Sequence, residues 1–348
     1  MAAYADTARD RRPAPAFAAI DLGTNNCRLL VGVPAADGFR VVDSFSRVVR
    51  LGEGLQGSGR LCPTAMDRAV AALQACAQRL DKRPVRGLRS VATEACRQAG
   101  NGGEFLQRVR AETGLQVSVI TPREEAELAL ESCAPLLLGA GRRALVFDIG
   151  GGSTELAWVR LDGASDVPEL IGYDSLPFGV VTLSEQFGCD AFGYDGFEAM
   201  VDAVTPRLHA FERVHCIGHE MRVGSVLTLG TSGTVTTLAG VAMGLVRYRR
   251  PLVDGTVLTV PAADFAMGTL RGLGRDGLVG HPCIGAERAD FVLPGCAIFE
   301  AIRRVWPVED VIVADRGLRE GMLLRLMRQA TGRVPHQPAR PISPALTA

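Results

Sequence analysis

An aspartate closing an apolar run, three successive glycines, two hydroxyl residues and a glutamate follow one another in Asp148-Ile149-Gly150-Gly151-Gly152-Ser153-Thr154-Glu155. Glycines lack a Cβ, so a phosphate can reach the backbone there and take several N–H bonds, and Ser153 and Thr154 add hydroxyl donors. Taken alone, such a run is also what a tight turn requires. It does not stand alone. AAIDLGTNNCRLLVG at residues 18–32 echoes LVFDIGGGSTELAWV at residues 145–159. Aligning Asp21 with Asp148 sets Gly23 on Gly150, Asn26 on Ser153 and Arg28 on Glu155, so a charged residue follows each aspartate at the same offset.

Each aspartate ends a strand-like run before a loop able to approach phosphate, where a carboxylate suits Mg²⁺ held partly through water; turn capping is the alternative use of Asp21 and Asp148. A third cluster, Gly230-Thr231-Ser232-Gly233, stands between a strand and a helix, either as a further phosphate grip on free N–H groups or as an ordinary helix cap. Thr121-Pro122-Arg123-Glu124 opens another helix with capping-box spacing. Glu124 therefore has two uses open to it, bonding the helix start or deprotonating an attacking water. Arg28, Arg97, Arg288, Arg316 and Arg319 are candidate phosphate clamps, because a guanidinium fork matches phosphate oxygens. His209, His215, Cys216 and His219 have metal-ligand residue types, but their spacing fits no standard zinc signature.

Composition removes several competing chemistries. Of 348 residues, 38 are basic and 38 acidic, so no bulk charge favours nucleic acid or an anionic membrane surface. Lys82 is the sole lysine and lies in a polar stretch, which excludes a P-loop and Schiff-base catalysis. Nine scattered cysteines without a CxxC pair, and no secretory signal, lead to the expectation of reduced thiols in the cytoplasm. GxSxG is absent, so direct attack by water is preferred to a serine nucleophile. The uncharged stretch from Val226 to Val246 has membrane-spanning length, but its glycines and threonines divide it into strand, turn and helix.

These residues need a scaffold that brings the two glycine-rich turns together. Both echoed segments predict β-hairpins. Between them the pattern gives a helix near residues 64–80, the strand LRSVAT, a helix from Gly103 to Thr113 closed by Gly114, and the strand LQVSVI. Beyond Gly152 come a strand to Arg160, a mostly helical stretch from Thr182 to about Phe211, the strand-turn-helix at 227–245, and the strand DVIVAD leading into the helix LREGMLLRLM. The expected fold is α/β: domain I over 16–140 and domain II over 141–332, facing a central cleft, with the last helix packing back on domain I. Residues 1–15 and 333–348 are expected to be disordered tails.

The segments IDLGTNNCRLLV, VATEACRQAGN, ITPREEAELAL, FDIGGGSTEL, SLPFGVVTL, GTSGTVTTLAG, ERADFVLPGCAIF and VADRGLREGML resemble, in order and number, the exopolyphosphatase and guanosine pentaphosphate phosphohydrolase (Ppx/GppA) family of the actin-like ATPase superfamily. The resemblance runs from about Phe17 to Arg328. It implies two actin-like (ribonuclease H-like) domains without the extra C-terminal helical domain of longer members, which leaves the grip on a long chain to be accounted for. It implies Glu124 as the carboxylate that activates water, Glu155 as a second essential acid, and Asp148 with Asp21 as holders of Mg²⁺. Gly23, Thr24, Asn25, Arg28, Thr93, Arg97, Gly150, Gly151, Gly152, Ser153 and Thr154 would surround the phosphate. Pro122 departs from the glycine usual in the family's ISG-x-EEA run.

The expected activity is release of terminal phosphate from polyphosphate or guanosine pentaphosphate by Mg²⁺-assisted attack of water, with a homodimer implied by the resemblance and no nucleic-acid or membrane partner. Two alternatives stay open on sequence: an ATP-dependent kinase or ATPase of the same superfamily, and a non-catalytic sensor of a guanosine polyphosphate alarmone.

Overall fold

The structure is a computed structural model, described for residues 15–36, 38–137, 141–161, 168–224, 226–332 and 345–346. In the first half the strands are β1 (Phe17–Leu22), β2 (Asn26–Ala35), β3 (Gly38–Val48), β4 (Gly87–Ala92) and β5 (Ser118–Val119), and the helices are α1 (Leu55–Ser58), α2 (Pro63–Asp81), α3 (Glu94–Gln98), α4 (Gly102–Thr113) and α5 (Pro122–Leu137). The second half has strands β6 (Arg143–Ile149), β7 (Thr154–Arg160), β8 (Glu169–Leu176), β9 (Val226–Thr231), β10 (Val257–Thr259), β11 (Asp310–Ala314) and β12 (Ala345–Leu346). Its helices are α6 (Val180–Phe187), α7 (Tyr194–His215), α8 (Ile217–Val223), α9 (Ser232–Ala242), α10 (Arg250–Val253), α11 (Val260–Gly272), α12 (Gly274–Gly280), α13 (Ala289–Val305) and α14 (Leu318–Thr331).

The sequence echo is a structural duplication. The first sheet is ordered β3-β2-β1-β4-β5 and the second β12-β10-β11-β9-β6-β7-β8, so β8-β7-β6-β9-β11 repeats the first sheet. In each, an antiparallel meander leads into a parallel crossover strand beside its first member. LQVSVI was expected to be a full strand; only Ser118–Val119 pairs, because it is an edge strand whose two paired residues are exposed. Among the described residues no helix is long and apolar enough to cross a membrane. The nine cysteines are free. Most of both expected tails lies outside the described residues, but Ala345–Leu346 pair with β10, so the reading of 333–348 as wholly disordered is corrected there.

Alternation along the strands decides what faces what. From β1, Ala18, Ile20 and Leu22 enter a core shared with α2 and α4, while Phe17 and Ala19 enter a core shared with α14. From β6, Leu145, Phe147 and Ile149 pack with α7, α9, α11 and α13, while Ala144 and Val146 pack with α5. Asp21 continues the Phe17–Ala19 face and Asp148 the Ala144–Val146 face. Both aspartates are thereby aimed at the layer occupied by α5 and α14.

These two helices cross between the halves. Leu128 of α5 packs in the first-sheet core beside Met322, Leu323 and Met327 of α14, whereas Leu130, Cys133, Leu136 and Leu137 pack on the second sheet. At the crossing, a Cβ on Gly321 would stand 2.0 Å from the Leu128 carbonyl oxygen, so only glycine permits the approach. Glu131 accepts from Arg325 Nε at 3.0 Å on the same seam and pairs with Arg328.

Candidate active site

The two hairpin turns have one geometry. Gly23 N–H donates to the Asn26 carbonyl and Gly150 N–H to the Ser153 carbonyl, each at 2.9 Å. Cross-strand registers place Asp21 opposite Arg28 and Asp148 opposite Glu155, so the charged residues that sequence offset aligned share a face with their aspartates. The turns touch across the halves: a Cβ on Gly152 would lie 2.5 Å from Thr24 Oγ1, and one on Gly151 would lie 3.3 Å from Asn25 N. The backbone N–H groups of Thr24, Asn25, Gly151 and Gly152 donate to no acceptor among the described residues. Unclaimed N–H groups at apposed turns form a nest for anionic oxygens.

The second turn is braced from behind by Phe178-Gly179-Val180-Val181. Val180 N–H donates to the Gly150 carbonyl at 3.0 Å and Val181 N–H to that of Gly151 at 2.8 Å, while Thr154 Oγ1 donates to the Phe178 carbonyl at 2.7 Å. A Cβ on Gly179 would approach the Gly151 oxygen to 2.3 Å and the Gly152 nitrogen to 2.6 Å. These bonds occupy the Gly150 and Gly151 carbonyls and leave the Gly151 and Gly152 N–H groups unclaimed among the described residues.

Four carboxylates converge here. Burial pushes the Asp148 carboxyl up to about 6 and Glu155 up to about 7, Asp148 itself adding to the rise of Glu155. Ser153 Oγ at 2.5 Å and Ser175 Oγ at 3.1 Å donate to Glu155 Oε1 and fix it. Asp21 is raised by burial against the opposing pull of Arg28 and Arg319. The fourth is Glu125, held well above the ordinary carboxylate range by burial and then by the field of Glu155, with Arg97 offsetting and Asp21 and Asp148 adding.

Of the two adjacent glutamates the structure brings Glu125 to the other carboxylates, whereas Glu124, the one the resemblance implied, faces Arg89. Glu124 donates its backbone N–H to Thr121 Oγ1 at 3.1 Å, the helix-capping bond, while its side chain, 30% exposed, pairs with Arg89 at 2.8 Å away from the other carboxylates. Consecutive helical residues point about 100° apart, so only one of the two glutamates can face the turns. α5 is buried on two sides, Leu128 against the first-sheet core and Cys133 against the second sheet, so apolar spacing along it does not by itself select Glu125 over Glu124.

Other predicted residues are brought close but used differently. Arg97 holds Glu94 (Nε at 2.9 Å), the Ile120 carbonyl at 2.7 Å and Glu125 at 3.3 Å, so it positions Glu125 instead of standing open for phosphate. Thr93 is buried at the start of α3 and makes no capping bond there. Thr231 is the register partner of Asp148, but its hydroxyl donates to the Arg316 carbonyl at 2.5 Å; Ser232 Oγ donates to the Ile149 carbonyl at 2.7 Å. Gly230 lies under the Phe147 ring, and the Gly233 carbonyl accepts from Arg288 at 2.9 Å. The Ser232 hydroxyl thus ties the end of β6 to α9, while the Thr231 hydroxyl ties β9 to the segment before α14.

Among the five arginines, Arg316 is committed to Asp254. Arg28, Arg288 and Arg319 form no ion pair among the described residues, and burial draws Arg288 and Arg319 down from the ordinary guanidinium range. Arg288 and Arg319 each feel the charge of Arg28, and Arg28 and Arg319 both act on Asp21. The histidine cluster is no site: His215 stacks on Phe211 with centroids 4.4 Å apart, and among the described residues no three His, Cys, Asp or Glu side chains form a full metal-ligand set.

Mg²⁺ needs one or two carboxylates and fills its shell with water and substrate phosphate. Asp148, Asp21 and the buried Asn25 Oδ1, which has no hydrogen-bond partner among the described residues, offer hard oxygen donors of that kind.

Comparison with known proteins agrees with the two-sheet fold. The model of the Ppx/GppA phosphatase family matches residues 32–330. A guanosine-5'-triphosphate,3'-diphosphate pyrophosphatase from Aeromonas salmonicida is 31% identical over 314 residues, covering 90% of this chain; the chain spans 60% of the length of that relative. Among solved structures, the Ppx/GppA family member from Aquifex aeolicus is 28% identical with a TM-score of 0.74, covering 92% of this chain and 99% of its own. An exopolyphosphatase-like protein is also 28% identical, with a TM-score of 0.80 over 92% of this chain and 99% of its own. The exopolyphosphatase from Cytophaga hutchinsonii shares the fold at 23% identity, with a TM-score of 0.79 over 91% of this chain and 98% of its own.

Proposed function

The chain belongs to the Ppx/GppA phosphatase family, and on that premise we propose that it releases the terminal phosphate of guanosine pentaphosphate, of inorganic polyphosphate, or of both, by direct attack of water. The observation that carries the reading is the convergence of four carboxylates with two apposed turns whose N–H groups are unclaimed. The turn N–H groups receive the oxygens of the terminal phosphoryl group, and Arg28, Arg288 and Arg319 hold the phosphates behind it.

Glu125 takes the proton of the attacking water. Burial and the field of Glu155 raise its affinity for a proton, which a general base needs, and Arg97 fixes its carboxylate against the seam. Glu155, held by Ser153 and Ser175, orients the same water from the opposite hairpin. Asp148 and Asp21 would hold Mg²⁺, which when bound neutralises charge on the phosphate oxygens. Contact between the turns, together with the bond from Gly54 N–H to Glu185 Oε1 at 3.0 Å, joins the two halves beside the reacting group. The nine free thiols suit a reducing, cytoplasmic setting.

The test is phosphate release by the purified chain with Mg²⁺ from guanosine pentaphosphate, tripolyphosphate, long-chain polyphosphate and ATP. Release from at least one of the first three, in excess over ATP, is expected. Release from ATP alone would replace this reading with that of an ATPase.

A further inference from the structure

A second anionic site lies away from the carboxylates. A cavity of about 520 Å³ opens between β3 and α2, lined by Asp43, Phe45, Arg47, Ala75, Gln78, Arg79, Lys82 and Arg83. Its walls follow from periodicity: residues 43, 45 and 47 alternate onto one face of β3, and 75, 78, 79 and 82 recur at helical spacing along one face of α2. Arg47 pairs in register with Cys27, which belongs to the core under α2, so the cavity opens on the face of the first sheet opposite Asp21.

Its charge is one-sided. Four cations meet one carboxylate, in a chain whose formal charge is balanced overall, and the sole lysine is among them. Asp43 is committed to Arg79 at 3.0 Å, whereas Arg47, Lys82 and Arg83 have no carboxylate partner among the described residues. Phe45 carries two guanidinium groups, Arg47 at 5.2 Å and Arg79 at 5.3 Å from its centroid. Cation–π stacking fixes forks that would otherwise need ordering by a ligand, the preorganisation that phosphate recognition rewards.

We propose that this groove is an exosite for the distal phosphates of a linear polyphosphate chain; the assignment rests on the polyphosphate arm of the proposed function. β3 is an edge strand, and Arg47 lies two residues before Val49, whose N–H donates to the Asn25 carbonyl of the first turn. A long flexible anion with its end in the cleft passes round this edge into the groove, and a short one does not reach. The groove thereby supplies a grip on long chains from within the two domains themselves.

The test compares the intact chain with the Arg47→Ala, Lys82→Ala, Arg83→Ala triple variant, whose three side chains are exposed. Long-chain polyphosphate is expected to bind the variant about tenfold more weakly, with a salt slope shallower by about two to three, roughly one for each phosphate that the variant no longer neutralises. Turnover of tripolyphosphate is expected to stay unchanged in kcat and KM. Unchanged long-chain affinity, or equal loss on both chain lengths, would overturn the exosite. A single-stranded oligonucleotide bound as tightly as polyphosphate, and lost in the same variant, would reassign the groove to nucleic acid. Should the wild type hydrolyse neither polyphosphate, the polyphosphate arm of the proposed function fails, and long-chain binding still decides whether the groove holds such a chain.

Discussion

Gly179 gives the sharpest view of how the second turn is held. Replacing it by alanine puts a Cβ 2.3 Å from the Gly151 carbonyl oxygen and 2.4 Å from its carbon, where ordinary contact begins near 3.4 Å. The obstacle is backbone, so no rotamer change relieves it, and the turn or the start of α6 must move by about 1 Å. A displacement of about 1 Å in a positioned catalytic group costs on the order of 10²-fold in rate. Overpacking at such a site also costs about 1–3 kcal/mol of stability. The assay is kcat/KM for phosphate release, with urea unfolding beside it and Gly57→Ala as control, since a Cβ there meets nothing within 4 Å. A Gly179→Ala enzyme within about threefold of wild type, against the 10²-fold loss that misplacement brings, would refute the claim that this brace sets the position of the Gly150–Gly152 turn.

Other outcomes follow from the same geometry. Asp148 rises from 3.8 to about 6 and Glu155 from 4.5 to about 7, so the folded chain binds these protons more tightly than the unfolded one. Their stability contribution is complete below the unfolded values and is lost as pH rises through about 6 to 7; the Asp148 shift alone corresponds to about 3 kcal/mol. Without divalent cations the protein should therefore melt at lower temperature at pH 8 than at pH 5, and Glu155→Gln should flatten that profile in calorimetry. At the α5–α14 crossing, Gly321→Ala should destabilise by about 1–3 kcal/mol in urea titration, because the Leu128 carbonyl cannot yield without separating the helices.

Much of this architecture is legible in the residues, for identifiable reasons. The hairpins announce themselves because glycine-rich turns interrupt apolar runs, and the equal offset from Asp21 to Arg28 and from Asp148 to Glu155 foretells two matching cross-strand pairs. Which glutamate of the 124–125 pair faces the cleft is not legible from periodicity in the same way. α5 is buried on two sides, Leu128 against the first-sheet core and Cys133 against the second sheet, so apolar spacing supports either orientation. The T-x-x-E spacing marks Glu124 as a capping residue, and its backbone does make that bond; the resemblance made it the base, but its side chain is claimed by Arg89, a β4 residue that no local pattern connects to it. Hydroxyls mislead for a related reason. Ser153, Thr154, Thr231 and Ser232 look like phosphate donors in the string, but Thr154, Thr231 and Ser232 donate to carbonyls brought from distant segments and Ser153 donates to the carboxylate of Glu155, its neighbour two residues on. The basic groove is similarly invisible, since β3 and α2 contribute alternate residues that meet only in the fold.

The central claim is that Glu125 is the base of a phosphohydrolase site built on two apposed turns. Its most direct test is the turnover number of Glu125→Gln beside Glu124→Gln, on whichever phosphoanhydride the wild type cleaves. Glu125→Gln is expected to lose about 10²- to 10⁴-fold in kcat, as removal of a positioned base does, while Glu124→Gln, which breaks only a half-exposed ion pair with Arg89, stays within about fivefold. The reverse ranking, or full activity in Glu125→Gln, would contradict the account.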